Sequence, residues 1–264
     1  MCLPERESKD MEILEYRIGT DIKAFSTRRG APSGSYGSFN ITHYCGDTAE
    51  HVAACRAELC SHLGIADERL ILPRQTHGCR VLCIDEELLA HNKEVVNDAL
   101  QGVDAVITAL PRTCIGVSTA DCVPILLCDC TKGVVAAVHA GWRGTVARIA
   151  KGCIAEMQRT YGCKAPDIKA VIGPSIGCDA FEVGDEVYEE FRRNGFPMER
   201  IAKRMEKWHI DLWEANRLQL TECGVTPCNI EIVGICTHSR SEEFFSARRL
   251  GINSGRIFNG IMIE

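Results

Sequence analysis

The chain predicts an α+β layered fold, and three observations carry the prediction. Apolar runs rich in Val, Ile and Leu follow one another without a helix between them, most clearly at 114–118, 123–128 and 134–138. Segments with apolar residues at helical spacing precede and follow these runs instead of alternating with them. Short turn-forming clusters join the pieces, and no linker, internal repeat or low-complexity tract divides the 264 residues. Tandem strands in so irregular an order exclude a doubly wound parallel sheet.

Taken in order, residues 1–10 (MCLPERESKD) mix acids and bases without an apolar stretch and are expected to form a flexible arm. Residues 11–264 are expected to form one domain. A strand at 22–27 leads into RRGAPSGSYGS, a Gly- and Ser-rich backbone suited to wrapping round a ligand. Thr48 caps a helix whose inner face carries Val52, Cys55, Leu59 and Leu63, and Gly64 ends it. Strands follow at 70–73, 81–85, 104–108 and 114–118. The runs 123–128 and 134–138 read as a hairpin buried on both faces, turning at Asp129-Cys130-Thr131-Lys132-Gly133. If the turn is symmetric about Cys130 and Thr131, Cys122 stands opposite His139 with Cβ atoms about 4.5–5.5 Å apart. Pro124 argues against regular pairing there, since proline inside a strand marks an edge or a bulge. A helix starting at Thr145 presents Val146, Ile149, Ala150, Cys153, Ile154 and Met157 on one face. A strand at 168–173, helices at 185–193 and 211–222, and a last long strand at 230–237 complete the expectation. The second of those helices opens with Asp211 and Glu214 in a capping pattern.

Composition narrows the function. A net charge of −6 argues against non-specific nucleic-acid binding. No apolar run approaches the roughly 20 residues of a membrane helix, and the N-terminal stretch has no secretory apolar core, so a cytoplasmic location is expected. The 16 cysteines are spread over helix and strand faces of a long chain. They read as small buried hydrophobes in a reducing compartment and not as a disulfide framework. There is no Cys-x-x-Cys, which removes thioredoxin-like chemistry and the usual zinc-finger spacing.

The residues best suited to chemistry are His77, Cys122 and His139. Each histidine ends an apolar strand and is followed closely by glycine. Two imidazoles and a thiolate suit zinc, and three protein ligands leave a coordination position open, as in catalytic sites. Asp121 is placed to orient a ligand or to cap a turn. His43, His51, His62, His91 and His209 read as loop or polar-face residues, and His238 as a surface residue with some capacity as an extra ligand. Arginine forks at Arg28, Arg29, Arg143, Arg240, Arg248 and Arg249 match anion oxygens. Arg28 and Arg143 are the strongest of these because they lie in Gly-rich turns. No P-loop or G-x-G-x-x-G is present, so a triphosphate or dinucleotide is not indicated.

FSTR (25–28) with the Gly-rich loop and Asn40, RQTHG (74–78), TADCVP (119–124), AVHAGWRG (137–144), GPSIG (173–177), FEVG (181–184) and FFSARR (244–249) together resemble the YfiH/YlmD family. Its members are also called laccase-domain or polyphenol oxidase proteins. The resemblance spans nearly the whole chain and implies a single-domain α/β/β/α sandwich, related in fold to the cytotoxic necrotizing factor catalytic domain. It implies one zinc held by His77, Cys122 and His139. It further implies a purine nucleoside phosphorylase acting on adenosine, inosine, guanosine and methylthioadenosine, with adenosine deaminase activity. The partners would then be a purine nucleoside and inorganic phosphate, with no nucleic acid and no membrane. Arg28 and Arg143 are assigned to the anion, and Asn40, Ser246 and Arg248 to substrate contacts. Two alternatives stay open: a copper-dependent polyphenol oxidase using the same ligands, copper being able to load such a site in vitro, and a hydrolase with Cys122 as nucleophile and His139 as base. The chain lacks any His-x-His, which multicopper centres need, and lacks the H-x-E with P-C-x-x-C of cytidine-type deaminases. It departs from the family pattern at Tyr44, where many relatives carry histidine, and at Phe181, where tyrosine is common.

Overall fold

Both faces of the central hairpin are covered, which is why its sequence is continuously apolar. In the computed structural model, which describes residues 11–31 and 33–264, every residue of Val123–Asp129 and Val134–Ala140 is buried. The expected arm at residues 1–10 lies outside the described residues. The hairpin occupies the middle of a six-stranded mixed sheet ordered Ile230–Ile232, Ile168–Ile172, Val123–Asp129, Val134–Ala140, Ala105–Thr108, Val81–Ile84. Side chains alternate between two cores. Val123, Ile125, Leu127, Val134, Ala136 and Val138 pack with Ile149, Cys153, Ile154 and Met157 of the helix Ile149–Tyr161 and with Leu212, Ala215 and Leu218 of the helix Leu212–Glu222. Leu126, Cys128, Val135 and Ala137 face the other way, against Ala24, Ile115, Val117 and Ile261 of a second sheet.

That second sheet has five strands, ordered Ile13–Tyr16, Ile22–Thr27, Ile257–Ile263, Cys114–Thr119, Leu70–Ile71. Its outer face carries Phe25, Cys114, Phe258 and Met262, which bury Cys55, Leu59 and Leu63 of the helix Ala49–Leu63. Three apolar layers thus separate helix, sheet, sheet and helix, an α+β sandwich with helices outside and two sheets face to face. The helix Ala49–Leu63 has the expected ends: the Thr48 side chain accepts from the His51 N–H, and Gly64 closes it in the left-handed region.

Three local expectations change. The hairpin register pairs Val123 with Ala140 and Pro124 with His139, two positions from the expected opposition of Cys122 and His139. A shift of two preserves the face each side chain takes, so Cys122, just beyond its strand, still shares the inter-sheet side with His139. Pro124 fits because the His139 N–H points away from it, to the Asp104 carbonyl at 2.8 Å, so the missing proline donor breaks no bond of this pair. The helix expected from Thr145 is two helices, Trp142–Val146 and Ile149–Tyr161, broken at Arg148, whose φ is 62°.

The last long strand is not 230–237 but Ile257–Ile263; the former region holds only Ile230–Ile232 before the chain turns through Gly234 at φ 70°. Asn259 and Gly260 hid the true strand, being poor strand formers. Both are required by packing. Asn259 is buried and bonded to Ser26, Val117 and Thr119, and a Cβ on Gly260 would come within 2.6 Å of the Phe258 ring and 2.8 Å of the Phe25 ring.

Candidate metal and substrate site

The site lies at one end of the two sheets, where turns from both converge. The turn after Leu70–Ile71 brings His77, the connection from Cys114–Thr119 into Val123–Asp129 brings Cys122, and the end of Val134–Ala140 brings His139. The ligand atoms of these three residues all lie within 4.8 Å of one another, and they are the one such group found among the described residues. The rings of His77 and His139 stand edge to face at 4.9 Å. A tetrahedral zinc with bonds of about 2.0–2.3 Å separates its ligands by roughly 3.4–3.6 Å, a spacing that falls inside the 4.8 Å bound on this cluster. Gly141 makes the approach possible, since a Cβ there would stand 3.0 Å from Cys122 Sγ and 3.1 Å from His77 Cδ2.

Asp104 organises the cluster, and nothing in the sequence singled it out beyond its place at the start of a strand. Its carboxylate accepts from His139 Nδ1 at 2.8 Å, leaving Nε2 for a metal. The same carboxylate accepts the N–H groups of Thr76, His77 and Gly78 at 3.2, 2.9 and 2.9 Å. These three bonds hold His77 at φ 62°, in the left-handed region. Of the two roles expected for Asp121, orienting a ligand or capping a turn, its hydrogen bonds match the second. It accepts from Thr237 Oγ1 and from the Arg248 N–H, tying the turn of Cys122 to the short helix Ala247–Leu250.

The electrostatics favour a thiolate. Burial pushes the Cys122 thiol up, but the positive His139 and the hydrogen bonds from both histidines outweigh it, leaving Cys122 at about 6. Burial pushes His139 down, while the Cys122 thiolate and the Asp104 carboxylate raise it to about 9. These opposite shifts favour a thiolate beside an imidazolium when no metal is bound, between about pH 6 and 9.

The three groups open into a cavity of about 930 Å³ whose walls include Trp142, Phe181, Tyr44 and Gln75. Two arginines line it, Arg248 and Arg256. Among the described residues neither has a carboxylate within ion-pair distance: Arg248 donates to the Glu182 carbonyl, and Arg256 donates to the carbonyls of Ile252, Ser254 and Gly255. Arg256 was not among the arginines the sequence marked, because it follows a Gly-Ser stretch with no motif around it.

The other expected substrate residues sit elsewhere. Arg28 is neutralised by Glu243 and Glu12 and lies over the Phe244 ring, outside the cavity lining. Arg143 stacks on Trp142 with its guanidinium 4.2 Å from the ring centroid, and it too is outside the lining. Asn40 is buried; its Oδ1 accepts from the Arg256 N–H and its Nδ2 donates to Asp47, so it reaches the cavity through Arg256. Ser246 is buried and caps the helix that carries Arg248. Only Arg248 of that set faces the cavity. His238 lines a separate cavity, and His209, expected on a polar face, is buried in the strand Trp208–Ile210 with Nδ1 on the Cys178 carbonyl.

Residues 22–264 match the family model described as multi-copper polyphenol oxidoreductase laccase. The chain belongs to this laccase-like YfiH family. It is similar to a protein named purine nucleoside phosphorylase from Bacteroides thetaiotaomicron, 47% identical over 97% of this chain and 98% of that one. It is equally similar to one named adenosine deaminase RL5 from an unknown prokaryotic organism, 47% identical over 96% of this chain and 98% of that one. The crystal structure of YlmD from Geobacillus stearothermophilus superposes with a TM-score of 0.84 at 29% identity, covering 92% of each chain. Bacillus licheniformis YfiH superposes with a TM-score of 0.84 at 26% identity, over 92% of this chain and 93% of that one. The YfiH-family relatives named for an activity are named as enzymes. No helix among the described residues is long and apolar enough to cross a membrane.

Proposed function

We propose that the chain is a zinc-dependent purine nucleoside phosphorylase with adenosine deaminase activity, acting on adenosine, inosine, guanosine and methylthioadenosine. The observation that carries the reading is the juxtaposition in one cavity of a two-imidazole, one-thiolate cluster and two arginines that have no carboxylate partner among the described residues. The relatives' names, one for each activity, support it.

His77, Cys122 and His139 would hold the metal, and their mixed nitrogen and sulfur donors fit zinc. Zinc held there supplies a Lewis acid and lowers the pKa of a water. The protein supplies the rest. Arg248 and Arg256 bind inorganic phosphate by paired N–H donors, while Trp142 and Phe181 give the purine apolar walls. In phosphorolysis a phosphate oxygen bonds to ribose C1′ as the C1′–N9 bond breaks; the departing purine takes the electron pair and a proton. Orientation of phosphate against C1′ is what the arginines contribute. In deamination water replaces the amine at C6 and ammonia leaves, with no need for phosphate. The anion role thus passes from Arg28 and Arg143 to Arg248 and Arg256. A thiolate ligand in a chain with many free cysteines fits a reducing, cytoplasmic location.

Product analysis of adenosine with purified protein, with and without phosphate, tests the reading. Adenine and ribose 1-phosphate appearing only with phosphate, and inosine appearing in both, are expected. If neither product appears with zinc-loaded protein, the nucleoside reading fails. Two other chemistries fit the same residues. Copper on the three ligands would give an oxidase, and metal analysis of protein purified without added metal separates it. The thiolate–imidazolium pair would give a hydrolase that works without metal, and chelation should leave such an activity intact.

A further inference from the structure

We infer that Asp104 is the positioning residue that assembles the metal site, setting the tautomer of one histidine and the backbone of the other through a single buried carboxylate. The inference rests on the reading of His77, Cys122 and His139 as metal ligands, but not on any substrate. The Asp104 side chain is 0% exposed, and it accepts four hydrogen bonds. One oxygen, Oδ1, takes both His139 Nδ1–H at 2.8 Å and the His77 N–H at 2.9 Å. The other, Oδ2, takes the N–H groups of Thr76 at 3.2 Å and Gly78 at 2.9 Å. The Asp104 carbonyl also accepts the His139 N–H at 2.8 Å. The two histidines, one in a turn and one at the end of the strand Val134–Ala140, stand 62 positions apart in the chain, and one side chain makes them one unit.

Each bond has a consequence for a metal. Accepting at Nδ1 fixes that nitrogen as the protonated one, so the lone pair of His139 sits on Nε2. Accepting from three successive backbone N–H groups holds the turn in which His77 adopts φ 62°, a conformation a non-glycine residue keeps only where its surroundings over-determine it. A carboxylate can do both because it is acceptor-only. Asparagine has nearly the same size but cannot. With its oxygen toward His139 and His77, its NH2 faces the N–H groups of Thr76 and Gly78. Turned the other way, its NH2 donates to Nδ1, and the proton of the neutral ring moves to Nε2, where a metal would bind. A residue that merely capped a turn would not control the tautomer, and that difference is measurable.

The test compares wild-type protein with Asp104→Asn. Zinc affinity is measured by chelator competition, and the histidine tautomers are read from long-range proton–nitrogen correlation spectra of zinc-loaded, 15N-histidine protein. Wild type should show His139 protonated at Nδ1 and metallated at Nε2. Asp104→Asn should bind zinc about 10- to 100-fold more weakly, with an unchanged circular dichroism spectrum and an altered His139 signal. Equal zinc affinity in the folded variant would overturn the inference while leaving the metal reading intact. Failure of wild type to bind zinc would instead remove the metal reading itself. Should the variant not fold, the wild-type spectrum decides alone: a His139 metallated through Nδ1 overturns the inference, and one metallated through Nε2 with Nδ1–H in slow exchange upholds it.

Discussion

Replacing Gly141 by alanine separates metal binding from folding. Gly141 has φ −63° and ψ 171°, extended backbone open to any residue, and it precedes the short helix Trp142–Val146. The added methyl would stand 3.0 Å from Cys122 Sγ and 3.1 Å from His77 Cδ2, against an ordinary contact of 3.4–4 Å. Both ligands must therefore retreat by a few tenths of an ångström, while metal–ligand distances tolerate only about ±0.2 Å. We expect zinc to bind about 10- to 100-fold more weakly, equivalent to roughly 1.4–2.8 kcal/mol. Folding should hardly change. Restricting the unfolded chain stabilises by about 0.4–1 kcal/mol, and the poorer helix cap costs about as much. The melting temperature of the metal-free variant should then move by less than about 3 °C. Chelator competition and thermal melting of the same samples check both halves. Unchanged zinc affinity in a folded Gly141→Ala protein would refute the close approach on which the estimate stands.

Removing either cavity arginine should split the two activities. Arg248→Ala and Arg256→Ala should each raise the KM for phosphate by about 10- to 100-fold, the worth of a charge-assisted hydrogen bond, with deamination measured without phosphate nearly constant; a parallel loss of both would count against phosphate binding there. Alkylation of Cys122 in metal-free protein should follow the thiolate, so its rate holds above about pH 6 and falls as pH drops through that value, rather than through the ordinary 9.0. Zinc should protect it, and a midpoint near 9 would contradict the pairing with His139. The same pair should add little slope to stability between about pH 6.5 and 9. The folded pair there carries one proton, on His139, which is raised to about 9, and the unfolded chain also carries one, on the thiol. Leu126→Ala, a deletion between the two sheets at a residue 1% exposed, should cost about 2–5 kcal/mol, seen as a fall in the denaturant midpoint; a loss below about 1 kcal/mol would mean that the sheets do not pack there as described.

Much of this protein follows from local chemistry. Continuous Val, Ile and Leu runs determined strands buried on both faces, and Thr48 with Gly64 determined the ends of the helix Ala49–Leu63, because solvation and capping act over a few residues. The glycine-flanked histidines and Cys122 marked a candidate metal site for the same reason: their donor types are legible wherever they stand. Tertiary structure decided what depended on partners distant in sequence. The strand Ile257–Ile263 runs through Asn259, whose buried side chain is satisfied by Ser26, Val117 and Thr119, and through Gly260, where the rings of Phe25 and Phe258 leave no room for a Cβ. Arg28 looked free beside its glycines until Glu243 neutralised it, and Arg256 carried no motif until folding left it at the cavity with no carboxylate partner among the described residues. Asp104 became the support of two histidines only when the turn of His77 met the paired ends of two strands. Residue type sets what a side chain can donate or accept; which groups it meets is set by loop closure and packing, and no local pattern encodes that.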